Sequence, residues 1–143
     1  MNNTETINYA QEIPDVLAAM SSIHDIMNTY NFAPKLTHLV LLRASQINAC
    51  GHCVKMHTRE AREGGETSER LDRVIVWEQV NDFSEREKAA LAWTEALTIL
   101  ERKTNYAALR ENLRSHFSAT DISILTATIA MINLWNRIRI SGH

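Results

Sequence analysis

Two thiols and one imidazole stand close together in the stretch NACGHCVKMH, as Cys50, Cys53 and His57. On a helix turning ~100° per residue, Cys50 and Cys53 project about 60° apart, Cys53 and His57 about 40°, and Cys50 and His57 about 20°. The three side chains therefore share one stripe. Near a helix start, unpaired amides and the helix dipole favour a thiolate, and a neighbouring imidazole can take up or supply its proton. Those conditions suit a redox-active Cys-x-x-Cys pair. His52 projects about 100° from Cys53, toward the mouth of such a site or simply to solvent.

The same residues permit other chemistry. A structural zinc site needs four ligands; this stretch offers Cys50, Cys53 and His57, and no second Cys-x-x-Cys or His-x-x-x-His pair completes the set. A non-enzymatic zinc-binding or redox-sensing module thus stays open. A purely structural disulfide here would close a loop too short to constrain the unfolded chain much. Two unrelated buried thiols are the remaining alternative, because cysteine is readily buried.

The elements that must position this stripe are helical. Glycine and proline are sparse, and no strand-like alternation or internal repeat stands out. Pro14 suits the first turn of a helix to about residue 28, with Val16, Leu17, Met20, Ile23 and Met27 on one face. Pro34 opens a second helix to about residue 47, in which LVLL (39–42) is apolar nearly all round and should be deeply buried. Asn48 is the expected N-cap of the cysteine helix, which Gly64-Gly65 ends. A short helix over about 68–78 follows, then SERE (84–87), a capping box opening a helix to about residue 101 that buries Ala89, Ala90, Trp93, Ala96, Leu97 and Leu100. Thr104 or Asn105 caps a helix over about 106–116, and SATD (118–121) opens a last one to about residue 138. The expectation is an all-α single domain over residues 1–143, with about six to seven helices.

Composition narrows the function classes. A net charge of −2 supplies no field for nucleic acid or an anionic membrane. The most apolar segment (122–135) is shorter than the ~20 residues that span a bilayer. The N-terminal stretch lacks the basic and apolar blocks of a signal peptide, so a cytoplasmic location is expected. In a reducing compartment a close cysteine pair is more often catalytic or metal-binding than structural. Trp77, Trp93 and Trp135 read as core, although Trp77 could reach the site; residues 85–88 read as a solvated first turn. His24, His116 and His143 have no visible partner pattern.

The stretch LRASQINACGHCVKMHTREAREGGE resembles the core of the AhpD-like alkylhydroperoxidases, within the carboxymuconolactone decarboxylase superfamily. Ser45, Gln46, Ile47, Asn48, Cys50, Cys53 and His57 carry the pattern, and FSEREKAALAWTEALT (83–98) and INLWNRI (132–138) extend it, with a family core over about 14–100. The resemblance implies a helical fold assembled as trimers or hexamers and a thiol peroxidase acting on organic hydroperoxides without metal, haem or other cofactor. It implies Cys53 as the peroxidatic residue, Cys50 as the resolving residue that forms a disulfide with it, and His57 in the proton relay. An external dithiol or protein reductant would then reopen the disulfide. In the family a glutamate of the relay precedes the first cysteine by twelve positions, and here that position is His38. A histidine there can shuttle protons near neutral pH. The superfamily also contains decarboxylase and lactone-handling enzymes that lack the cysteine pair, which is a further alternative.

Overall fold

The computed structural model describes residues 3–143. Its elements are α1 (Tyr9–Glu12), α2 (Pro14–Asn28), α3 (Pro34–Ile47), α4 (Gly51–Glu63), α5 (Ser68–Arg73), a 3-10 segment (Val74–Gln79), α6 (Glu85–Ile99), α7 (Tyr106–Arg114) and α8 (Ala119–Ser141). No strand occurs among the described residues. The helix beyond the expected number is the single turn α1, whose Tyr9 hydroxyl donates to the Ser141 carbonyl of α8.

Pro34 opens α3 as expected, and α3 becomes the centre of the molecule, packed against α4, α6 and α8. Its two flanks feed different cores. Leu36 and Val40 join Ala89, Ala90 and Trp93 of α6, Leu113 of α7 and Leu125 and Ile129 of α8. Leu39 and Leu42 join Ala61, Leu71, Val74, Trp77, Phe83 and Leu91. Burying each such leucine is worth about 1.5–3 kcal/mol, so α3 is the rigid floor on which the cysteine helix sits.

Local signals set most of the boundaries. Both capping boxes form: Ser84 with Glu87 and Ser118 with Asp121 exchange side-chain and backbone hydrogen bonds. Asn105 caps α7. Gly64 closes α4, and Gly65 takes a φ of 93° that a side chain would disfavour. Arg70 ties α5 to α6 by ion pairs to Glu66 and Glu87 and a hydrogen bond to the Asp82 carbonyl.

The apolar face of α2 buries no residue, and Val16 and Ile23 are exposed, because α2 lies over a cavity rather than on a filled core. Three expectations are corrected. The helix expected over 68–78 passes at Val74 into a 3-10 segment kinked at Val76; its β-branched run Val74, Ile75, Val76 loses side-chain freedom in an α-helix. Leu100 lies beyond the end of α6 in the left-handed region (φ 58°) and is exposed rather than buried. Asn48 does not cap α4. It is the C-cap of α3, and its side chain is used across the fold instead.

Candidate active site

The corner between α3 and α4 is built from three residues with three conformations. Asn48 ends α3 in helical geometry, Ala49 takes a left-handed φ of 54°, and Cys50 is extended and serves as the N-cap of α4. A non-glycine residue in the left-handed region persists only where its surroundings hold it. Here the turn is closed locally by the Cys50 amide donating to the Ser45 carbonyl at 3.1 Å, and α8 fastens it from outside. The Asn48 amide donates to Asn133 Oδ1 and to Asn136 Oδ1, each at 2.9 Å. Asn136, fully buried, donates to Ser45 Oγ, and Asn133 donates to Thr98 Oγ1 of α6. These buried amides are satisfied by one another, as buried polar groups must be.

On that corner Cys53 and His57 share a face of α4, while Cys50 stands at its extended N-cap, outside the helical geometry expected for it. Cys50, Cys53 and His57 are 2%, 3% and 6% exposed, all facing inward. The two cysteines are joined as a disulfide with their Cα atoms 5.3 Å apart, within the usual range for a bridge. The Cys53 amide points at Cys50 Sγ, 3.4 Å away. Among the described residues, no group of three or more His, Cys, Asp or Glu side chains is arranged to hold a metal ion.

His57 Nδ1 lies 3.0 Å from Glu60 Oε2. A carboxylate accepts, so the ring proton sits on Nδ1 and Nε2 is left as the acceptor. That Nε2 is buried and has no hydrogen-bond partner. Burial pushes the His57 pKa below its ordinary 6.5, against the pull of Glu60, and the His38 and His52 imidazoles also oppose its protonation. The result is a neutral imidazole with a free basic nitrogen, on the face of α4 that also carries Cys53.

Cys53 stands in the wall between two cavities. The larger, about 850 Å³, lies under α2 and is lined mainly by apolar side chains of α2, α3, α4 and α8, with His24, His38, His57 and Glu60 as its titratable groups. The smaller, about 470 Å³, is bounded by α1, α4 and α8, with His52, Arg139 and His143 on its wall. Met56 and Trp135 border both; Cys50 borders neither.

The structure thus brings His38 into one cavity with Cys53 and His57. The His38 ring packs against Gly64, where an added Cβ would meet its Cδ2 at 3.1 Å, and its buried Nδ1 has no partner. His52 is exposed on the opposite side, its Nδ1 3.3 Å from the Arg139 guanidinium. Trp77 does not reach the site: it is buried in the core and donates to Glu95. Three residues escaped the sequence reading. Glu60 was visible in principle, three positions after His57 on the same helix face. Trp135 and His24, which share a 2.7 Å hydrogen bond over the large cavity, carry no local signal because 111 positions separate them.

Comparison with known proteins agrees with the sequence resemblance. Residues 14–96 match the carboxymuconolactone decarboxylase family. The uncharacterized protein YdfG of Bacillus subtilis is 30% identical over 138 residues, covering 96% of this chain and 94% of its own. A solved structure from Agrobacterium tumefaciens, of unknown function and named as a candidate antioxidant defence protein AhpD, superposes with a TM-score of 0.90 at 33% identity, over 97% of this chain and 95% of that one. An uncharacterized peroxidase-related protein from Silicibacter sp. shares the fold, with a TM-score of 0.77 at 20% identity over 88% of this chain and 67% of that one. The chain belongs to the carboxymuconolactone decarboxylase family, as an AhpD-like member.

Proposed function

We propose that the protein is a thiol-dependent alkylhydroperoxide reductase in which Cys53 attacks the peroxide, Cys50 resolves the product and His57 moves the proton. The observation that carries this reading is that Cys53 alone of the two cysteines lines the cavities, with His57, whose Nε2 is buried and free, lining the larger one beside it.

In the reduced enzyme, His57 Nε2 takes the Cys53 proton. The thiolate attacks the terminal oxygen of the hydroperoxide, an S–O bond forms, and the O–O bond breaks. The departing alkoxide takes the proton from the imidazolium and leaves as the alcohol. The Cys50 thiol then attacks the sulfenic sulfur of Cys53, closing the disulfide and releasing water. An external dithiol or protein reductant returns two electrons and two protons. Burial serves this cycle by keeping His57 unprotonated near neutral pH. His38 is the second imidazole of the relay, at the family's glutamate position, and His52 stands over the other cavity. No metal, haem or organic cofactor takes part.

Two broader assignments go with this reading. A homo-oligomer, trimer or hexamer, suits the exposed apolar residues of α2, of which Ile26 is 64% exposed. A cytoplasmic setting suits a dithiol-driven cycle; no helix among the described residues is long and apolar enough to cross a membrane.

The test is single-turnover oxidation. Reduced protein mixed with an organic hydroperoxide should consume one equivalent and gain the internal Cys50–Cys53 disulfide, seen by peptide mass mapping. Cys53→Ser should abolish turnover, and His57→Gln should slow it by roughly 10²–10⁴-fold, the usual contribution of a general base. Full activity in the Cys53→Ser variant would overturn the assignment. Activity that survives loss of both thiols would place the chemistry in the decarboxylase or lactone-handling branch.

A further inference from the structure

We propose that the smaller cavity is a port through which an anionic thiol reduces the disulfide, drawn in by Arg139. The inference rests on the dithiol–disulfide cycle of the proposed function but not on the identity of the oxidant.

The two cavities that share Cys53 differ in charge. The larger carries one carboxylate, Glu60, with His24, His38 and His57 on an otherwise mainly apolar wall. The smaller has no aspartate or glutamate on its wall, and it carries Arg139 with His52 and His143. Arg139 is exposed and pairs with no carboxylate among the described residues; its guanidinium donates to His52 Nδ1 instead. In a chain with a net charge of −2, this is a local cation on the same cavity wall as a disulfide cysteine. A thiol that carries a carboxylate matches it, because complementary charge raises the local concentration of an approaching reactant.

The covalent geometry favours the same side. Cys53 is the sulfur that borders the port. When a reductant thiolate attacks Cys53 Sγ, the S–S bond breaks and Cys50 leaves as a thiolate. That leaving sulfur is the N-cap of α4 and receives the Cys53 amide, and the helix dipole favours negative charge there. A stabilised leaving thiolate departs faster. Cys50 then picks up a proton. A second thiolate attacks the mixed disulfide on Cys53, releasing the Cys53 thiolate. Two reductant thiols become one disulfide, and the protein disulfide gains two electrons.

The experiment uses full-length oxidised protein and no peroxide. Three probes, 3-mercaptopropionate, 2-mercaptoethanol and cysteamine, are compared by the rate at which each consumes the disulfide. Each rate is divided by that thiol's rate with hydroxyethyl disulfide in the same buffer, which removes differences in thiolate fraction and nucleophilicity. The anionic probe should lead the neutral one by about fivefold and the cationic one should trail, with the spread shrinking as salt screens the charge. Arg139→Gln should bring the three within about twofold, Arg139→Glu should reverse the order, and Arg139→Lys should keep most of it. The mixed disulfide should map to Cys53. No charge order in the wild type, an order that survives Arg139→Gln, or a mixed disulfide on Cys50 would each overturn the port. A protein that shows the order but consumes no hydroperoxide keeps the port and loses the peroxidase reading. An active peroxidase without the order loses only the port.

Discussion

Helices α2 and α3 both begin with proline at the first turn and both carry apolar residues at helical spacing, yet they end in opposite environments. Six residues of α3 are buried, and none of α2 is. The apolar stripe of α3 meets α4, α6 and α8 at close range. Of the α2 stripe only Met27 lines the large cavity, beside His24 and opposite Trp135 of α8, and Val16 and Ile23 are exposed. Amphipathic spacing says that a helix has something to cover. It does not say whether that something is a core or a chamber.

Energetics should divide the two helices accordingly. Leu39→Ala, at a site with no solvent exposure, should cost about 3–4 kcal/mol in denaturant unfolding, the usual range for a core leucine. Ile26→Ala on α2 should stay within about 0.5 kcal/mol. Equal losses at the two sites would erase the distinction. Asn136→Ala comes next: it removes one of the two acceptors of the Asn48 amide and the donor to Ser45 Oγ, while Asn133 and the Leu41 carbonyl still hold those groups, and it should cost about 1–3 kcal/mol. Because this break lies under the cysteine corner, the variant should also show faster hydrogen exchange at Ala49 and Cys50.

Trp135→Phe removes the hydrogen bond to His24, the one side-chain hydrogen bond from α2 to another element among the described residues. Its effect should be about 1 kcal/mol, read as increased amide exchange in α2 with little change in α3. The smallest effect concerns pH. His57 is less basic in the fold than in the unfolded chain, so the unfolded state binds the extra proton as pH falls. Its contribution to stability is therefore fully present above 6.5 and is lost as pH drops from there toward the lower folded-state value. A pH–stability curve for His57→Gln should be flatter over that window than the wild-type curve.

What could be read from the chain was mostly what its neighbours in sequence decide. The capping boxes at Ser84 and Ser118, the stop at Gly64-Gly65 and the closeness of Cys50, Cys53 and His57 all depend on residues within about two helical turns. Asn48 shows where that logic ends. Its residue type suits a helix cap, but Asn133 and Asn136 offer its amide two acceptors that no local pattern announces. His38 was located only by counting back from Cys50, while its neighbour Gly64 and the absence of a partner for Nδ1 emerged from packing. The pairing of Trp135 with His24 was out of reach for the same reason.

The asparagine tie also sets an order of events in synthesis. Asn48 precedes its two partners by 85 and 88 positions. A nascent chain that has not yet produced α8 carries both thiols on a corner that has its local backbone bonds but not the asparagine tie. Completion of the asparagine tie therefore depends on long-range docking of α8. Until that docking occurs, Cys50 and Cys53 sit on a corner that lacks its clamp to the far end of the chain.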